Sequence, residues 1–356
     1  MKILMLAEND PAGTAILFAH AVNSLTPHTC RLLTAQERYN HAFSKDLHLP
    51  WLNEEQLAEV EELFRTSDVF HFHMTADEDY AFGPFKAQDY MRGKMIVHHH
   101  HGHPDFRGNP GKYQQKYRER GRHKLLVSTP DLLRLLPEAT WLPNLVPVND
   151  PLYRPEPQAQ NGVLRLGHSP TRKDLKNTDE LLGVVERING AAKAGVDLDL
   201  IDNAPHKDCL RRKQQCHAVF DHMQGYYGVS SLEALSQGKA TIAGLDGWNL
   251  GHIKDRMGCD TVPWVIARSE AELEAAVVNL ATVPGFCAAK GEESRRFMET
   301  YWTDSHIAAM LVDFYEGKLA PSRADSTVIP MAAPGTLEAE AGRLAETANP
   351  QAAMAS

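Results

Sequence analysis

The sequence predicts an α/β protein of two domains, each a parallel sheet covered on both faces by helices. Three observations carry this. Short apolar runs alternate with helical patterns along most of the chain, as βαβ units do. At 356 residues the chain can fill two cores of ordinary size. One Pro-, Asp-, Asn- and Gln-rich stretch, from Pro147 to Asn161, interrupts the alternation and reads as a linker.

In the first half, Ile3 to Ala7 reads as a buried strand, and the loop from Glu8 to Gly13 follows it. Thr14 reads as the N-cap of a helix reaching about Leu25. A full G-x-G-x-x-G fingerprint is missing, so no NAD site is expected. Thr29 to Leu33 is a short strand, Glu54 to Arg65 a charged helix, and Asp68 to His73 a strand that alternates aromatic residues with His71 and His73. Met95 to Val97 leads into His98-His99-His100-His101-Gly102-His103, and Leu125 to Val127 gives a further strand. Neutral imidazole is the commonest zinc ligand. Adjacent strand residues face opposite ways, however, so only His99 with His101, or His98 with His100, can converge. No H-E-x-x-H or His/Cys companion accompanies them, and the expectation is no metal.

The second half opens with a strand at Val163 to Gly167 and the basic turn His168-Ser169-Pro170-Thr171-Arg172-Lys173-Asp174-Leu175-Lys176-Asn177-Thr178, before a helix from about Asp179 to Ile188. Cations just ahead of a helix N-terminus oppose its dipole unless an anion sits between them. A strand at Leu198 to Asp202, a helix from Lys207 to Gln215 and a strand at Ala218 to Asp221 come next. They deliver the chain to Gly225-Tyr226-Tyr227-Gly228-Val229-Ser230-Ser231-Leu232-Glu233, a glycine-flanked aromatic turn entering a helix that stops at Gly238. Such a turn presents unpaired N–H groups and a positive dipole end, which suits a diphosphate. Glu233, one turn further in, is placed to accept hydrogen bonds from vicinal ribose hydroxyls; the alternative is a solvated helix residue. Ala240 to Ala243 is a strand, Gly244 to Trp248 a loop, and helices are expected at about 270–280, 292–302 and 304–316. From Lys318 the chain is too poor in large apolar residues to pack and is expected to be disordered.

The formal charge of −9 and pI near 6.0 argue against general binding to nucleic-acid backbones or anionic membranes. The basic run Arg211-Arg212-Lys213 reads as a solvated helix face. Five cysteines without a C-x-x-C pair argue against a disulfide framework or zinc ribbon and favour a reducing compartment. With no signal peptide or membrane span expected, the protein reads as cytoplasmic, or at most membrane-peripheral.

Gly228, Glu233-Ala234 and Gly238-Lys239-Ala240-Thr241-Ile242 resemble the nucleotide-sugar signature of retaining family-4 glycosyltransferases. That resemblance implies the GT-B fold: two Rossmann-like domains facing a central cleft, with the C-terminal helix crossing back to the N-domain. Many members carry a second Glu where this chain has Gly225. Asp221 with Gly225-Tyr226-Tyr227-Gly228 resembles a variant with an Asp before Gly-aromatic-Tyr-Gly. Lys176-Asn177-Thr178 resembles the family's Lys-Gly-Thr, and His101-Gly102 its His-Gly step facing the transferred sugar; Asp105 and Arg107 match more loosely.

The resemblance thus implies catalytic His101 and Gly102. It implies donor-phosphate contacts from Arg172, Lys176, Gly228, Val229 and Gly13, nucleotide contacts from Glu233 and Ser230, and sugar contacts from Asp221 and Tyr227. It also implies an acceptor domain at 1–147, a linker at 148–162, a donor domain at 163–302 and a crossover helix at 303–317, ahead of the tail at 318–356. The implied reaction moves a sugar from a nucleoside-diphosphate sugar to a hydroxyl of a glycan, lipid-linked or protein acceptor, with retention and without cofactor or metal. The rivals are a nucleotide-sugar epimerase on the same fold and a non-catalytic sugar-nucleotide-binding protein, the latter suggested by Gly225.

Overall fold

The computed structural model describes residues 1–37, 43–156, 158 and 161–320. The chain divides into two α/β units: Met1–Leu145 with the helix that begins at Asp304, and Val146–Thr303.

The strands of the first unit are β1 (Lys2–Ala7), β2 (Thr29–Thr34), β3 (Leu47–His48), β4 (Val69–His73), the short antiparallel pair β5 (Ala81–Phe82) and β6 (Phe85–Lys86), β7 (Met95–His100), β8 (Lys124–Val127) and β9 (Thr140–Trp141). Seven of them form one all-parallel sheet in the order β3-β2-β1-β4-β7-β8-β9. Every β1 residue after Lys2 is buried. This explains why Ile3 to Ala7 does not alternate: a parallel strand covered on both faces needs apolar residues throughout.

Helix α1 (Thr14–Leu25) follows β1, and its cap differs from expectation. Gly13 holds the N-cap position in the left-handed region (φ 65°), and Thr14 is the first helical residue. The capping oxygens come from the buried Asp10 carboxylate, which accepts from Ala15 N–H (3.2 Å) and Ile16 N–H (2.9 Å). Helix α2 (Glu54–Thr66) starts in a capping box between Asn53 and Gln56. Two helices without a clear periodic signal, α3 (Pro104–Gly108) and α4 (Pro110–Glu119), lie beyond β7.

The second unit alternates β10 (Val163–His168), α5 (Thr178–Gly190), β11 (Gly195–Leu200), α6 (His206–Gln214), β12 (Ala218–Phe220), α7 (Val229–Ser236), β13 (Ala240–Ala243), α8 (Gly247–Met257), β14 (Val265–Ile266), α9 (Glu270–Thr282) and α10 (Phe286–Tyr301). Its five strands are parallel in the order β11-β10-β12-β13-β14. Leu164, Leu166, Phe220 and Ile242 of the sheet pack with Leu181 and Val184 of α5 and Leu273 and Val277 of α9. Gly238 takes φ +66° just past α7, where Lys239 N–H reaches back to Ala234 O at 3.0 Å. The last helix, α11 (Asp304–Tyr315), belongs to the first unit and buries Ile307, Leu311 and Phe314.

One expectation is corrected. The 244–248 segment is not wholly a loop: Gly247 and Trp248 begin α8, whose first turn is capped by Asp246 accepting from Asn249 N–H at 2.8 Å. The 148–162 stretch, where described, packs against the second unit. Gln214 Nε2 donates to Pro151 O (2.9 Å), Gln237 Nε2 to Leu152 O (2.7 Å), Ser236 Oγ to Tyr153 O (2.9 Å) and Lys239 Nζ to Glu156 O (3.0 Å). Its irregular backbone finds partners on α6 and α7, as buried backbone must. The expected disordered tail lies outside the described residues except for Lys318, Leu319 and Ala320. All five cysteines are free, and no helix among the described residues is long and apolar enough to cross a membrane.

Candidate functional site

The site is built at the C-terminal ends of β10, β12 and β13, where an open parallel sheet exposes its connecting loops. His168 closes β10. It is fully buried, with Nδ1 3.0 Å from Phe220 O and Nε2 2.9 Å from Thr178 Oγ1, the first residue of α5. Burial is the largest cause of its pKa falling to about 4, so the ring is a neutral tie between strand and helix.

The loop between them turns at Asn177, which takes φ 53°, a conformation Asn tolerates better than most residues. Its Oδ1 accepts from Met223 N–H at 2.8 Å. This turn points Lys176 at Asp221, the residue after β12, with Nζ 2.8 Å from Oδ1. The other carboxylate oxygen accepts from Gly228 N–H (2.5 Å) and Ser231 Oγ (2.8 Å). Burial alone would raise the Asp221 pKa, but the nearby His222 and Lys176 and these hydrogen bonds outweigh it and hold the carboxyl well below its usual range.

Gly228 caps α7. A Cβ there would lie 2.9 Å from Lys176 Nζ and 3.1 Å from both Asp221 oxygens, so any side chain would push the ammonium from its present place, and glycine leaves room for the pair. The next two N–H groups, of Val229 and Ser230, have no partner among the described residues. Two free donors at a helix start, beside a lysine ammonium, form an anion cradle.

Behind the cradle lies a second charged layer. Glu233 is 5% exposed; Oε2 accepts from Lys213 Nζ at 2.6 Å and Oε1 lies 2.7 Å from His206 Nε2. Burial pushes Glu233 up, yet Lys213 and His206 prevail and bring its pKa down to about 2. Lys213 also donates to Ser230 Oγ (2.8 Å), which in turn lies 3.0 Å from Ser169 Oγ. Lys213 is thus no part of a solvated face: it is 1% exposed. The sequence carried a signal for this. Lys213 and Gln214 stand three and four residues after Leu210 and share its face, and all of them are buried.

The other predicted residues distribute unevenly. Arg172 is exposed on the turn between β10 and α5, its Nε donating to Asp174 at 3.1 Å. Tyr227 does not line a sugar site, because its side chain is fully buried between Trp264 (5.5 Å) and Trp302 (5.7 Å). Gly225 takes φ +88°, and a Cβ there would lie 3.7 Å from an Asp246 carboxylate oxygen. A glutamate at this position would be strained and repelled, which accounts for the absent second acid.

In the first unit, Gly13 does not offer an open phosphate cradle. Asp10 already occupies the α1 N-terminus, and the Phe43 ring lies 2.3 Å from where a Gly13 Cβ would be. His101 is half-buried just beyond β7, its Nε2 2.9 Å from His73 Nδ1. Gly102 takes φ +75°, and its carbonyl accepts from Arg107 Nε at 3.2 Å. The alternation expected of the histidine run holds. His98 and His100 turn to Glu78 (3.4 Å) and Tyr117 Oη (2.7 Å), while His99 and His101 share the other face at 4.2 Å between ring centres.

No protein-family model and no curated protein sequence matches the chain. Solved structures do. The chain is similar to an α-glucosyltransferase solved with UDP and a 13-mer DNA containing a HMU base, at TM-score 0.60 and 10% identity over 89% of this chain and 99% of that one. It is also similar to HepE from Anabaena with UDP and glucose, at TM-score 0.59 and 13% identity over 89% and 100%. A third likeness is to a variant of TarM from S. aureus with Fondaparinux, alpha-GlcNAc-glycerol and UDP, at TM-score 0.59 and 10% identity over 88% and 99%. At such identities the likeness concerns the fold, and it is GT-B: two Rossmann-like α/β units.

Proposed function

We propose that this chain is a retaining glycosyltransferase whose second unit binds the diphosphate of a nucleoside-diphosphate sugar. The observation that carries the reading is the cradle at α7, where the open N–H groups of Val229 and Ser230 stand beside Lys176 over Gly228. The likeness to GT-B enzymes solved with UDP makes UDP the first nucleotide to try.

In this reading the diphosphate draws Lys176 partly away from Asp221, and Arg172 reaches it from the exposed turn. Asp221 is a positioning residue that fixes Lys176, Gly228 and Ser231, not a sugar ligand. Ribose hydroxyls meet Glu233 at Oε1 by displacing His206, whose side chain is the more exposed of its two partners (15% against 1% for Lys213). As the glycosidic bond breaks, negative charge grows on the leaving diphosphate, and donors already aimed at it stabilise that charge without rearrangement. The departing diphosphate then takes the proton of the acceptor hydroxyl, so no protein nucleophile is needed. The acceptor is a glycan, lipid-linked or protein hydroxyl. His101 and Gly102 keep their assignment to the transferred sugar on family resemblance alone.

Thermal unfolding with UDP and GDP in EDTA tests the cradle. A ligand at a hundredfold excess over its Kd stabilises by about 2.7 kcal/mol. Gly228→Ala should weaken nucleotide binding several-fold, by displacing the Lys176 ammonium from its place at the cradle. No shift with any nucleoside diphosphate, or one that requires Mn²⁺ or Mg²⁺, sinks the proposal. A mass-spectrometric screen of nucleotide sugars with and without acceptors then separates transfer from binding alone.

A further inference from the structure

The seven-stranded sheet of the first unit carries polar chemistry that the proposed donor site does not use. His71 and His73 stand two residues apart on β4 and so share a face. The β4–β7 register pairs His73 with His99, which brings that imidazole to the same face. Ring centres are 4.4 Å apart for His71 and His73, 5.3 Å for His71 and His99, and 5.4 Å for His73 and His99. All three are buried, at 0%, 2% and 1% exposure.

Their hydrogen bonds are incomplete. His71 Nδ1 lies 2.7 Å from Tyr315 Oη, and His73 Nδ1 2.9 Å from His101 Nε2. His71 Nε2, His73 Nε2 and both nitrogens of His99 have no partner among the described residues. Buried polar atoms are normally satisfied, so this many orphans on one face ask for a ligand. One nitrogen from each of the three residues lies within 4.8 Å of the others.

We propose that His71, His73 and His99 form a binding site for a divalent transition metal of the zinc class. An all-nitrogen donor set excludes Mg²⁺ and Ca²⁺, which take oxygen ligands. Three neutral imidazoles suit Zn²⁺ and leave a fourth position for water or another ligand. The outer contacts fit as well. Tyr315 Oη lies on Nδ1 of His71 and His101 Nε2 on Nδ1 of His73, which leaves Nε2 of each as the nitrogen open to a metal. Bonds of 2.0–2.1 Å in a tetrahedron put ligand nitrogens about 3.3 Å apart, so the trio closes by about 1.5 Å at most on loading. Rotation of the imidazoles about their side-chain torsions supplies this. The site lies wholly within the first unit, and nucleotide binding in EDTA does not depend on it.

The test uses the full chain without a histidine tag, stripped with EDTA and titrated with ZnCl2 against a chromophoric chelator, then with CoCl2. One tight equivalent of zinc is expected, with the visible bands of tetrahedral Co²⁺ and a higher unfolding midpoint. His99→Gln should weaken that equivalent by at least about a hundredfold and Tyr315→Phe by about tenfold, the latter keeping its packing. Exposed His20→Gln should leave it intact. Absence of stoichiometric binding to the stripped wild-type chain overturns the proposal. So does unchanged affinity in Tyr315→Phe together with unchanged affinity in any folded His99→Gln protein.

Discussion

The C-terminal ends of the two parallel sheets solve the same problem in opposite ways. At the five-stranded sheet the buried carboxylates are charged and each is matched: Asp221 with Lys176, and Glu233 with Lys213 and His206. At the seven-stranded sheet His71, His73, His99 and His101 are held neutral by burial, and several of their nitrogens are unmatched. The difference follows from energy scale. An unpaired buried charge costs several kcal/mol, which a domain of ordinary stability cannot carry more than once. An unpaired neutral group costs about 1–3 kcal/mol. A charged edge must therefore be complete when the chain folds, whereas a neutral edge tolerates waiting for a partner.

The largest effect should come from breaking a matched pair. Glu233→Gln leaves the Lys213 ammonium buried without its counter-charge, and the expected loss is about 3–5 kcal/mol in urea unfolding. A double variant, Lys213→Met with Glu233→Leu, should recover much of it, because neither charge is then stranded. The carboxyl titrates near 2 in the fold against 4.5 unpaired. Its contribution is therefore full above about pH 4.5 and declines as pH falls towards 2. A Glu233→Gln protein within 1 kcal/mol of wild type would show the layer to be less coupled than its distances imply.

The neutral tie at His168 should give a smaller, pH-dependent effect. Its folded pKa is lowered from 6.5 to about 4, so acid protonates the unfolded chain first. Stability is thus fully present above about pH 6.5 and lost as pH falls towards 4, amounting to about 2 kcal/mol between pH 8 and pH 5 from this residue. Comparing the two pH values in wild type and His168→Gln isolates the contribution. Equal slopes would mean that Thr178 and Phe220 hold the ring whether or not it is protonated.

Much of this architecture was legible in the sequence, and what was not is instructive. The strand at Ile3 to Ala7 and the Gly228 turn are local statements, written in apolar runs and glycines, and the structure has both. Asn177, which stands where the resembling motif has glycine, takes the left-handed conformation that glycine favours. Lys213 was legible only in part: it shares the face of Leu210, but the carboxylate that lets a lysine sit there, Glu233, lies 20 residues ahead on another helix. The histidine trio was half visible. Alternation sorted His99 from His98, but only the β4–β7 register joins His71 and His73 to it, and cross-strand register is set by tertiary packing. Tyr227 was placed at the sugar by family resemblance, which does not tell which side chains the fold encloses; here Trp264 and Trp302 enclose it.

The smallest effect on the fold should be at Arg172, and it sharpens the contrast from the charged side. Unlike Lys213, this side chain is exposed, and its counter-charge Asp174 sits two residues away in the same turn. Exposed pairs of this kind are screened by water and salt and contribute little to stability. Arg172→Gln should therefore leave the urea midpoint unchanged. A diphosphate arriving at α7 would still lose one cationic partner, and KM for the preferred donor should rise several-fold, more at low salt than at high, with kcat less affected. A lowered midpoint would make Arg172 a structural member of the turn. An unchanged KM would remove it from the donor site and leave Lys173, exposed and paired with Asp202, as the remaining basic group of that turn to test beside Lys176.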